Sequence, residues 1–474
     1  MRLGLVLGAV AIAVSLGFAA CGGGSSPEKT ATPAPSASPT ADPNAEPPLP
    51  QPITFAPGEV VSADGPGIFF TDPYTGATEG WYLPDAVNKE EPFEFSVSDV
   101  TADGRLLLYE CQRHNGEGLL APCGATDPGA PHTWYLFNTE TGDRRRLDAF
   151  TGPSLTLSPD GRTLFGLTDK GPALQAVEGG ETRVVEVSDN PSLVPAGARW
   201  SPRGDTVVLG LLPKELVMAG VGYWEMSLLR VDAPGPVKLL EGSGKVDWAA
   251  DGSRVALVVS QFRYDGETPG ILVFDSTGRE LWSSPLGGYP NPRWSPDGSR
   301  VAAQVDFEVK AGSEAGCSGE ATACILSHLD VFDGATGEPL YRVAGAIACA
   351  DQVWTADGSH LLVEGYASGG SVLVDPESRT FKPLGTYVVL TPFDAGLAIS
   401  WDGDNLRAVD LDTGESRLLV ATTVRPAWDW LHEPLFVGGR IKFTAWHGGH
   451  GGCAMGSAPK PPPELEILYP PYGE

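Results

Sequence analysis

The sequence predicts an all-β fold: a β-propeller of eight four-stranded blades, preceded by a disordered tether. A recurring string and the lack of any long amphipathic helix pattern favour this fold. The clearest copy, Trp-Ser-Pro-Asp-Gly-Ser-Arg-Val-Ala, occupies residues 294–302 of the 474-residue chain. Weaker copies begin at Leu157, Trp200, Trp248 and Trp354. Repeats of roughly 35 to 60 residues built from β-rich units are typical of propellers.

The first twenty residues have the layout of an export signal. Arg2 precedes an uncharged, mostly apolar stretch, residues 3–20, as in signal peptides that are removed from the mature protein. The stretch ends in Phe-Ala-Ala before Cys21, which resembles the cleavage motif of bacterial lipoproteins. That resemblance implies lipidation of Cys21 and a position in the bacterial cell envelope, outside the cytoplasm. An uncleaved transmembrane anchor is the alternative, for which this stretch is barely long enough.

Residues 21–51 form the predicted tether. Pro, Ala, Ser and Thr dominate it, and Leu49 is its only large apolar side chain. Such a segment cannot offset its own ordering entropy, and its prolines keep it semi-extended. We therefore expect a signal peptide at residues 1–20, the tether, and a β-propeller with a C-terminal closing segment at residues 52–474.

The repeated string marks a hairpin. In residues 295–298, Pro296 presets the second position of a type I turn and Gly298 supplies a positive φ. A second string, with Asp or Asn after an apolar strand and Thr-Gly at its close, follows most copies, as at residues 331–337. Two hairpins in tandem make one four-stranded sheet. The predicted blades are residues 52–85, 94–149, 153–188, 196–242, 244–286, 290–345, 348–384 and 386–421.

Residues 425–474 contain two more predicted strands, at 441–446 and 465–469. They could complete or close a blade that begins near the N terminus. A ring of seven blades with a cap is the alternative count.

At these residues the chain resembles the TolB-like and WD40-like (PD40) β-propellers, whose hallmark is the Trp-Ser-Pro-Asp-Gly turn. The resemblance covers roughly residues 94–420. It implies extracytoplasmic protein or peptide binding, sometimes beside a hydrolase domain, and no such domain fits in this chain. The motif residues themselves are structural, because the tryptophan is expected to pack between blades and Asp-Gly makes the turn.

Six cysteines besides Cys21 agree with an oxidising compartment. Four lie in short glycine-containing insertions between predicted strands, which favours local disulfides, and the last two are left as a long-range pair that could fasten the C-terminal segment. Six cysteines allow fifteen connectivities, so the pairing is a hypothesis. The predicted pairs are Cys111 with Cys123, Cys317 with Cys324, and Cys349 with Cys453.

The formal net charge of −28 argues against nucleic acid, because phosphate binding needs clustered Lys and Arg. Residues 144–146 form the only basic run. The expected partners are the membrane, through the lipid anchor, and a protein or peptide of unknown identity.

No cofactor is expected, although three weak candidates exist. His447, His450, Cys453 and Met455 offer donors that suit copper or zinc, while a plain disulfide-tethered loop is the alternative. Residues 402–405 offer oxygens to Ca²⁺ or form a polar turn. Trp81 and Trp282 follow two Thr-Gly turns, which also resembles the repeats of quinoprotein dehydrogenases and BamB-like lipoproteins; packing tryptophans explain them too.

Strings typical of α/β-hydrolases, zincins and P-loops are missing from the sequence. The leading hypothesis is therefore a lipid-anchored binding or scaffolding module that uses loops at one face of the ring or its central funnel. The competing hypothesis is an enzyme with a quinone or metal in the funnel. The insertions at residues 111–123 and 311–324 are the expected edge of the functional face.

Overall fold

The structure is a computed structural model, and it describes 23 stretches of the chain. They contain 37 β-strands and no helix, hence no helix long and apolar enough to cross a membrane. The described residues are 49–57, 60–61, 67–82, 93–101, 103–114, 120–122, 132–152, 154–213, 225–233, 235–242, 244–259, 270–285, 291–310, 323–344, 352–366, 370–385, 389–392, 396–401, 405–422, 426–427, 436–437, 440–445 and 466–470.

The strands are short and separated by turns, as the repeats predict. The first seventeen are β1 (Gln51–Phe55), β2 (Val60–Val61), β3 (Gly67–Thr71), β4 (Thr78–Tyr82), β5 (Phe93–Val100), β6 (Leu106–His114), β7 (Leu120–Pro122), β8 (Thr133–Asn138), β9 (Arg144–Arg146), β10 (Leu155–Leu157), β11 (Thr163–Thr168), β12 (Gly171–Ala176), β13 (Arg183–Val184), β14 (Leu193–Trp200), β15 (Thr206–Pro213), β16 (Glu225–Arg230) and β17 (Val237–Glu241). The others are β18 (Gly244–Trp248), β19 (Arg254–Val259), β20 (Gly270–Asp275), β21 (Glu280–Pro285), β22 (Asn291–Trp294), β23 (Arg300–Lys310), β24 (Ala323–Asp333), β25 (Pro339–Ala344), β26 (Gln352–Trp354), β27 (Leu361–Tyr366), β28 (Gly370–Asp375), β29 (Thr380–Gly385), β30 (Val389–Pro392), β31 (Leu397–Trp401), β32 (Asn405–Asp410), β33 (Ser416–Thr422), β34 (Pro426–Ala427), β35 (Phe436–Val437), β36 (Arg440–Ala445) and β37 (Glu466–Leu468).

These strands form eight sheets, which we call blades 1 to 8. Blades 1 to 7 are built in chain order from β5–β9, β10–β13, β14–β17, β18–β21, β22–β25, β26–β29 and β30–β33. Each has four antiparallel strands paired in sequence, to which blade 1 adds β7, blade 5 adds β37 and blade 7 adds β2. The predicted all-β propeller of eight four-stranded blades is confirmed, and the alternative of seven blades is not.

Blade 8 combines N-terminal strands with strands that follow blade 7. Its order is β1, β4, β3, β36, β34, with β35 also paired to β36. Strands β3 and β36 pair antiparallel, from Gly67 opposite Ala445 to Thr71 opposite Ile441. The strand predicted at residues 441–446 therefore completes the blade that the N-terminal hairpin begins.

The strand predicted at residues 465–469 has a different place. Strand β37 pairs with the outer strand β25 of blade 5 rather than with blade 8. Tyr469, just after it, lies with its ring centre 6.2 Å from that of Tyr341 and donates a 2.6 Å hydrogen bond to the carbonyl of Pro376 in blade 6. The expectation that this segment closes blade 8 was wrong, because aromatic contacts at the boundary of blades 5 and 6 hold it there.

Arg379 of blade 6 contacts the ring of the same tyrosine. Its guanidinium carbon lies 4.2 Å from the centre of the Tyr469 ring. Among the described residues, Arg379 is the only non-glycine with a positive φ, at 59°. A left-handed arginine costs about 1 kcal/mol relative to glycine, and a cation–π contact of about that size offsets the cost.

Hydrophobic clusters fill the spaces between successive blades. One cluster joins each neighbouring pair, from blades 8 and 1 round to blades 6 and 7. Blades 7 and 8 meet through Arg417, whose guanidinium donates a 3.0 Å hydrogen bond to the carbonyl of Pro73. Because every consecutive pair is joined, the eight blades form a closed ring.

The predicted Ser-Pro-Asp-Gly turn joins the first and second strands of a blade. In blade 5, the Gly298 N–H donates to the carbonyl of Ser295 at 2.8 Å, and Gly298 has a φ of 68°. Asp297 Oδ1 accepts the Ser295 hydroxyl at 2.7 Å and the Ser299 N–H at 2.9 Å. Burial opposes ionisation of Asp297, but these hydrogen bonds outweigh it and lower its pKa below the usual value. The motif residues are structural, as predicted.

The turns that close with Thr-Gly join the third and fourth strands. Asp333 Oδ1 accepts the N–H groups of Thr336 at 2.8 Å and Ala335 at 2.9 Å. The hydrogen bond from Thr336 contributes most to lowering the pKa of Asp333. The Gly334 N–H donates to the carbonyl of Ser299 at 2.7 Å. Both kinds of turn therefore lie side by side on one face of the ring, which we call the turn face.

The motif tryptophan packs between blades, and the motif arginine has a role that the sequence did not reveal. Trp294 lies in the cluster between blades 4 and 5. Arg254 of blade 4 lies 4.7 Å from its ring centre and donates to a carbonyl in each signature turn of blade 5, both at 2.7 Å. Arg300 of blade 5 lies 5.9 Å from the ring of Trp354 in blade 6. Each of these arginines ties its own blade to the next.

Candidate functional site

Most of the site residues that the sequence predicts lie outside the described residues. They are Cys21, Cys123, Cys317, Cys349, Cys453, His447, His450 and Met455, with residues 402–404 of the calcium candidate. Of the other two cysteines, Cys324 lies in β24 and Cys111 lies in β6, where it is buried and disulfide-bonded. The three disulfide pairings and the metal sites stay predictions.

Trp81 and Trp282, the two residues that resemble quinoprotein repeats, both pack between blades. The ring centre of Trp81 lies 4.9 Å from that of Phe137 in blade 1, in an edge-on arrangement. Trp282 is 8% exposed and donates a 3.2 Å hydrogen bond to the carbonyl of Gly334 in blade 5. Both contacts agree with the interpretation of these residues as packing tryptophans.

The described part of the chain brings together no group of three or more His, Cys, Asp or Glu side chains that could hold a metal ion. Its most deeply buried charged residue is Asp330, which is 2% exposed. Arg342 donates to both carboxylate oxygens, at 2.6 and 2.9 Å, and His328 Nε2 lies 3.3 Å away. Burial opposes ionisation of Asp330, but these two partners outweigh it and lower its pKa. The cluster links β24 to β25 and has a structural role.

In blades 1 to 7, the first strand lies at the axis of the ring. First strands of successive blades contact one another, as β5 does with β10, β18 with β22, and β22 with β26. Since the strands of blades 1 to 7 pair in chain order, the later strands of these blades lie progressively farther from the axis. Residues of the first strands therefore line the centre of the propeller.

A cavity of about 220 Å³ opens at this axis, beside blades 1 to 4. Four first strands line it, through Ser98 and Asp99 of β5, Leu155 and Thr156 of β10, residues 195–199 of β14, and Val246 of β18. Apolar side chains of neighbouring strands complete the wall, namely Phe165, Val208 and Met226, each 1% exposed. A mostly apolar wall with a few polar groups is typical of a ligand site.

Two β-bulges coincide with this cavity. The pairing of β5 with β6 shifts register between Val97 and Asp99, and that of β14 with β15 shifts between Pro195 and Gly197. The extra residues, Ser98 and Ala196, both line the cavity. Elsewhere in the described residues, the first and second strands of the blades pair without a shift. Bulges redirect side chains and are frequent beside functional sites.

Asp99 uses one oxygen to tie blades 1 and 2 together at the cavity wall. Its Oδ2 accepts the Thr156 hydroxyl at 2.5 Å and the Leu157 N–H at 3.0 Å. The Ser98 hydroxyl donates to the carbonyl of Leu155 at 2.8 Å, across the same two strands. These hydrogen bonds hold the polar side of the cavity in a fixed arrangement before any ligand arrives.

Arg199 brings a positive charge to the same cavity. Its carbonyl accepts the Trp248 indole N–H at 3.3 Å. Its side chain is exposed, and within the described residues its guanidinium makes no hydrogen bond or ion pair. In a chain whose net charge is −28, an arginine without a carboxylate partner is a local exception that favours an anionic ligand.

Sequence reasoning named the central funnel as one possible place for binding, but it named none of the residues that line this cavity. The insertions at residues 111–123 and 311–324 are the expected edge. The described strands that flank them, β6 and β23 with β24, have these ends at the face opposite the turn face. The described parts of those insertions are the ends of β6, β7 and β24. One sequence signal did exist at the cavity, since Pro195 and Gly197 interrupt a first strand and such interruptions often mark a bulge.

A closed eight-bladed ring with a cavity on its axis defines the class of the protein as an eight-bladed β-propeller. The chain is similar to the dihydro-heme d1 dehydrogenase NirN in complex with DHE, with 13% identity and a TM-score of 0.43 over 77% of this chain and 76% of that chain. It is similar to TolB from Acinetobacter baumannii (11% identity, TM-score 0.31, 76% and 81%). It is also similar to the β-propeller domain of the trilobed protease from Pyrococcus furiosus (13%, 0.36, 70% and 84%). No protein-family model matches the sequence, and neither does any curated protein.

Proposed function

We propose that this chain is a lipid-anchored, extracytoplasmic β-propeller that binds a protein or peptide partner at the axial cavity. The coincidence of two first-strand bulges with that cavity carries the proposal. A bulge leaves one residue out of the ladder, so Ser98 and Ala196 have no partner residue on the second strand of their blade and lie at the cavity instead. The proposed layout is a signal peptide at residues 1–20, the tether at 21–51 and the propeller from residue 52.

The surroundings of the cavity support binding. The eight blades are joined all round, so the partner meets a preformed site and little ordering entropy is lost. The net charge of −28 disfavours nucleic acid and anionic surfaces. No observation on the described residues favours the enzymatic alternative of a quinone or metal in the funnel.

Site-specific photo-crosslinking in the cell envelope tests the proposal. A small diazirine-bearing residue at Ala196, in the bulge of blade 3, is expected to give one covalent adduct of discrete mass after irradiation of cells that express the full chain. The physical reason is proximity, because Ala196 lines the cavity where the partner would lie. The adduct is detected by immunoblot and identified by mass spectrometry.

The matched control places the same residue at Val184, on the outer strand of blade 2. Val184 is 48% exposed and therefore samples random encounters at the rim. Binding at the cavity predicts an adduct at position 196 and none of that mass at position 184. Equal labelling at both positions, or labelling at neither, would contradict the proposed function.

The lipid anchor predicts the behaviour of Cys21→Ser. The serine side chain cannot form the thioether bond that joins the lipid to the protein. The acyl chains of that lipid are what attach the protein stably to the membrane. We therefore expect the variant to move from the membrane fraction to the soluble fraction on cell fractionation, whereas the neighbouring Ser26→Ala variant stays with the membrane. Retention of Cys21→Ser in the membrane would instead support the uncleaved transmembrane anchor at residues 3–20.

A further inference from the structure

We infer that the axial cavity is a subsite for an apolar residue that carries a free carboxylate, such as the C-terminal residue of a peptide. The inference rests on the proposed function and names the chemistry of what that site accepts. Three features of the cavity carry it: the charge of Arg199, the hydroxyls beside it and the apolar wall.

The charge is the first feature. Arg199 is an exposed residue of the cavity lining, and no described carboxylate pairs with its guanidinium. Asp99 in blade 1 and Asp247 in blade 4 occupy the position that Arg199 has in its own first strand, and both carboxylates accept hydrogen bonds from other groups. Asp99 Oδ2 accepts two hydrogen bonds from β10, and Asp247 Oδ2 accepts the Trp294 N–H at 2.7 Å. The guanidinium is therefore available to bind a carboxylate, which its planar fork of donors fits well.

The hydroxyls are the second feature. The Ser98 and Thr156 hydroxyls lie on the cavity wall, and both already donate their protons, to Leu155 O and to Asp99 Oδ2. Hydroxyl oxygens in this state can still accept a hydrogen bond. They therefore suit the peptide N–H that precedes a C-terminal carboxylate, whereas the anion itself is drawn to Arg199.

The wall and the volume are the third feature. Leu155, Phe165, Met226 and Val246 form an apolar surface beside Arg199. The volume of about 220 Å³ is below the roughly 300 to 1,000 Å³ of most small-molecule sites. It therefore holds a single residue with an aliphatic side chain rather than a folded segment. An apolar side chain joined to a free carboxylate matches both halves of the cavity.

Binding of defined probes to the purified full chain tests the inference. The probes are acetyl-Ala-Ala-Val with a free C terminus, the same peptide as its C-terminal amide, and 3-methylbutanoate, each measured by isothermal titration calorimetry. We expect the free-acid peptide to bind about tenfold more tightly than the amide, because only the acid forms a charge-assisted pair with Arg199. A peptide ending in glycine should bind several-fold more weakly, because it leaves the apolar wall uncovered.

Variants assign the effect to Arg199. Arg199→Gln should weaken binding of the free-acid peptide about tenfold and leave the weak binding of the amide unchanged. Arg162→Gln is the matched control, because Arg162 lies on the turn face with its side chain 85% exposed. Arg199 is exposed, and its guanidinium makes no hydrogen bond or ion pair within the described residues, so the unfolding midpoint of Arg199→Gln should match that of the parent chain. Equal binding of acid and amide, or an Arg199→Gln variant that binds the acid normally, would overturn the inference.

The remaining comparisons separate the sources of the carboxylate and the two proposals. If 3-methylbutanoate binds as tightly as the free-acid peptide, the ligand is a small free acid; tighter binding of the peptide identifies a chain terminus. If Ala196 crosslinks to a partner but the acid and amide peptides bind equally well, the proposed binding function stands and only this inference is refuted. Absence of any adduct at Ala196 would refute the binding function itself.

Discussion

The variant Phe69→Ala is expected to lower the free energy of unfolding by about 4 kcal/mol, within the range for truncating a buried phenylalanine. Phe69 lies in the middle of β3 and is 0% exposed. It stands opposite Phe443 of β36 and Gly80 of β4, and its ring centre is 6.2 Å from that of Phe55 in β1. The cavity left by alanine therefore lies in the sheet that unites N-terminal and C-terminal strands.

The consequence should reach beyond blade 8. The pairing of β3 with β36 joins the N-terminal and C-terminal strands in this one sheet. Weakening the sheet therefore opens the ring at blade 8. Urea unfolding followed by tryptophan fluorescence measures the loss of stability, and amide hydrogen exchange should be faster in β36 than in the parent chain. Opening at blade 8 predicts that exchange in blades 2 to 4 changes less.

Tyr74→Ala is the matched control in the same blade. Tyr74 lies in the turn between β3 and β4 and is 59% exposed, so its loss should change stability by about 0.5 kcal/mol or less. If Phe69→Ala proves no more destabilising than Tyr74→Ala, the closure of the ring through β3 and β36 is wrong.

Replacement of Gly337 by alanine (Gly337→Ala) should lower the free energy of unfolding by about 3 kcal/mol. Gly337 has a φ of 75°, in the left-handed region, where a side chain costs about 1 kcal/mol. A Cβ there would also lie 2.5 Å from Cδ2 of the Trp282 indole. That ring packs 5.9 Å from Phe332 and donates to the Gly334 carbonyl at 3.2 Å. Moving it away adds an overpacking cost of about 2 kcal/mol.

Gly142→Ala separates the two contributions. Gly142 closes the same kind of turn in blade 1, with a φ of 76°, but its added Cβ would meet no atom within 4 Å. Gly142→Ala should therefore lower the free energy of unfolding only by the conformational cost of about 1 kcal/mol. Urea midpoints of the two variants, measured side by side, give the difference. Equal losses of stability in the two variants would show that the close approach of the added Cβ to the Trp282 ring costs no free energy.

The repeats predicted the fold well because they are local. The hydrogen bonds that close each signature turn on itself join residues at most five apart, as between Ser295 and Arg300. Such turns depend on the residues that form them, so their chemistry can be read from the chain. The count of eight blades and the packing tryptophans follow from the number and spacing of these turns.

The candidate site could not be predicted in the same way. Ser98, Thr156 and Arg199 belong to three blades, and the ring alone brings them to one cavity. The bulge at residues 195–197 had a visible sign in Pro195 and Gly197, whereas the one at Ser98 had none. The link from Arg254 to Trp294 likewise depends on the packing of blade 4 against blade 5.

The sequence by itself determined the class of fold, the number of blades and the turn between the first and second strands of blades 1 to 6, because short-range hydrogen bonds and glycines with positive φ encode these features. Only the tertiary structure decided which blades the terminal strands join, because β36 and β37 could each have paired with the edge strand of more than one blade. It also decided where the cavity lies and that the Arg199 guanidinium has no acidic partner among the residues that the structure describes, because both depend on residues far apart in the chain that meet only at the axis of the ring.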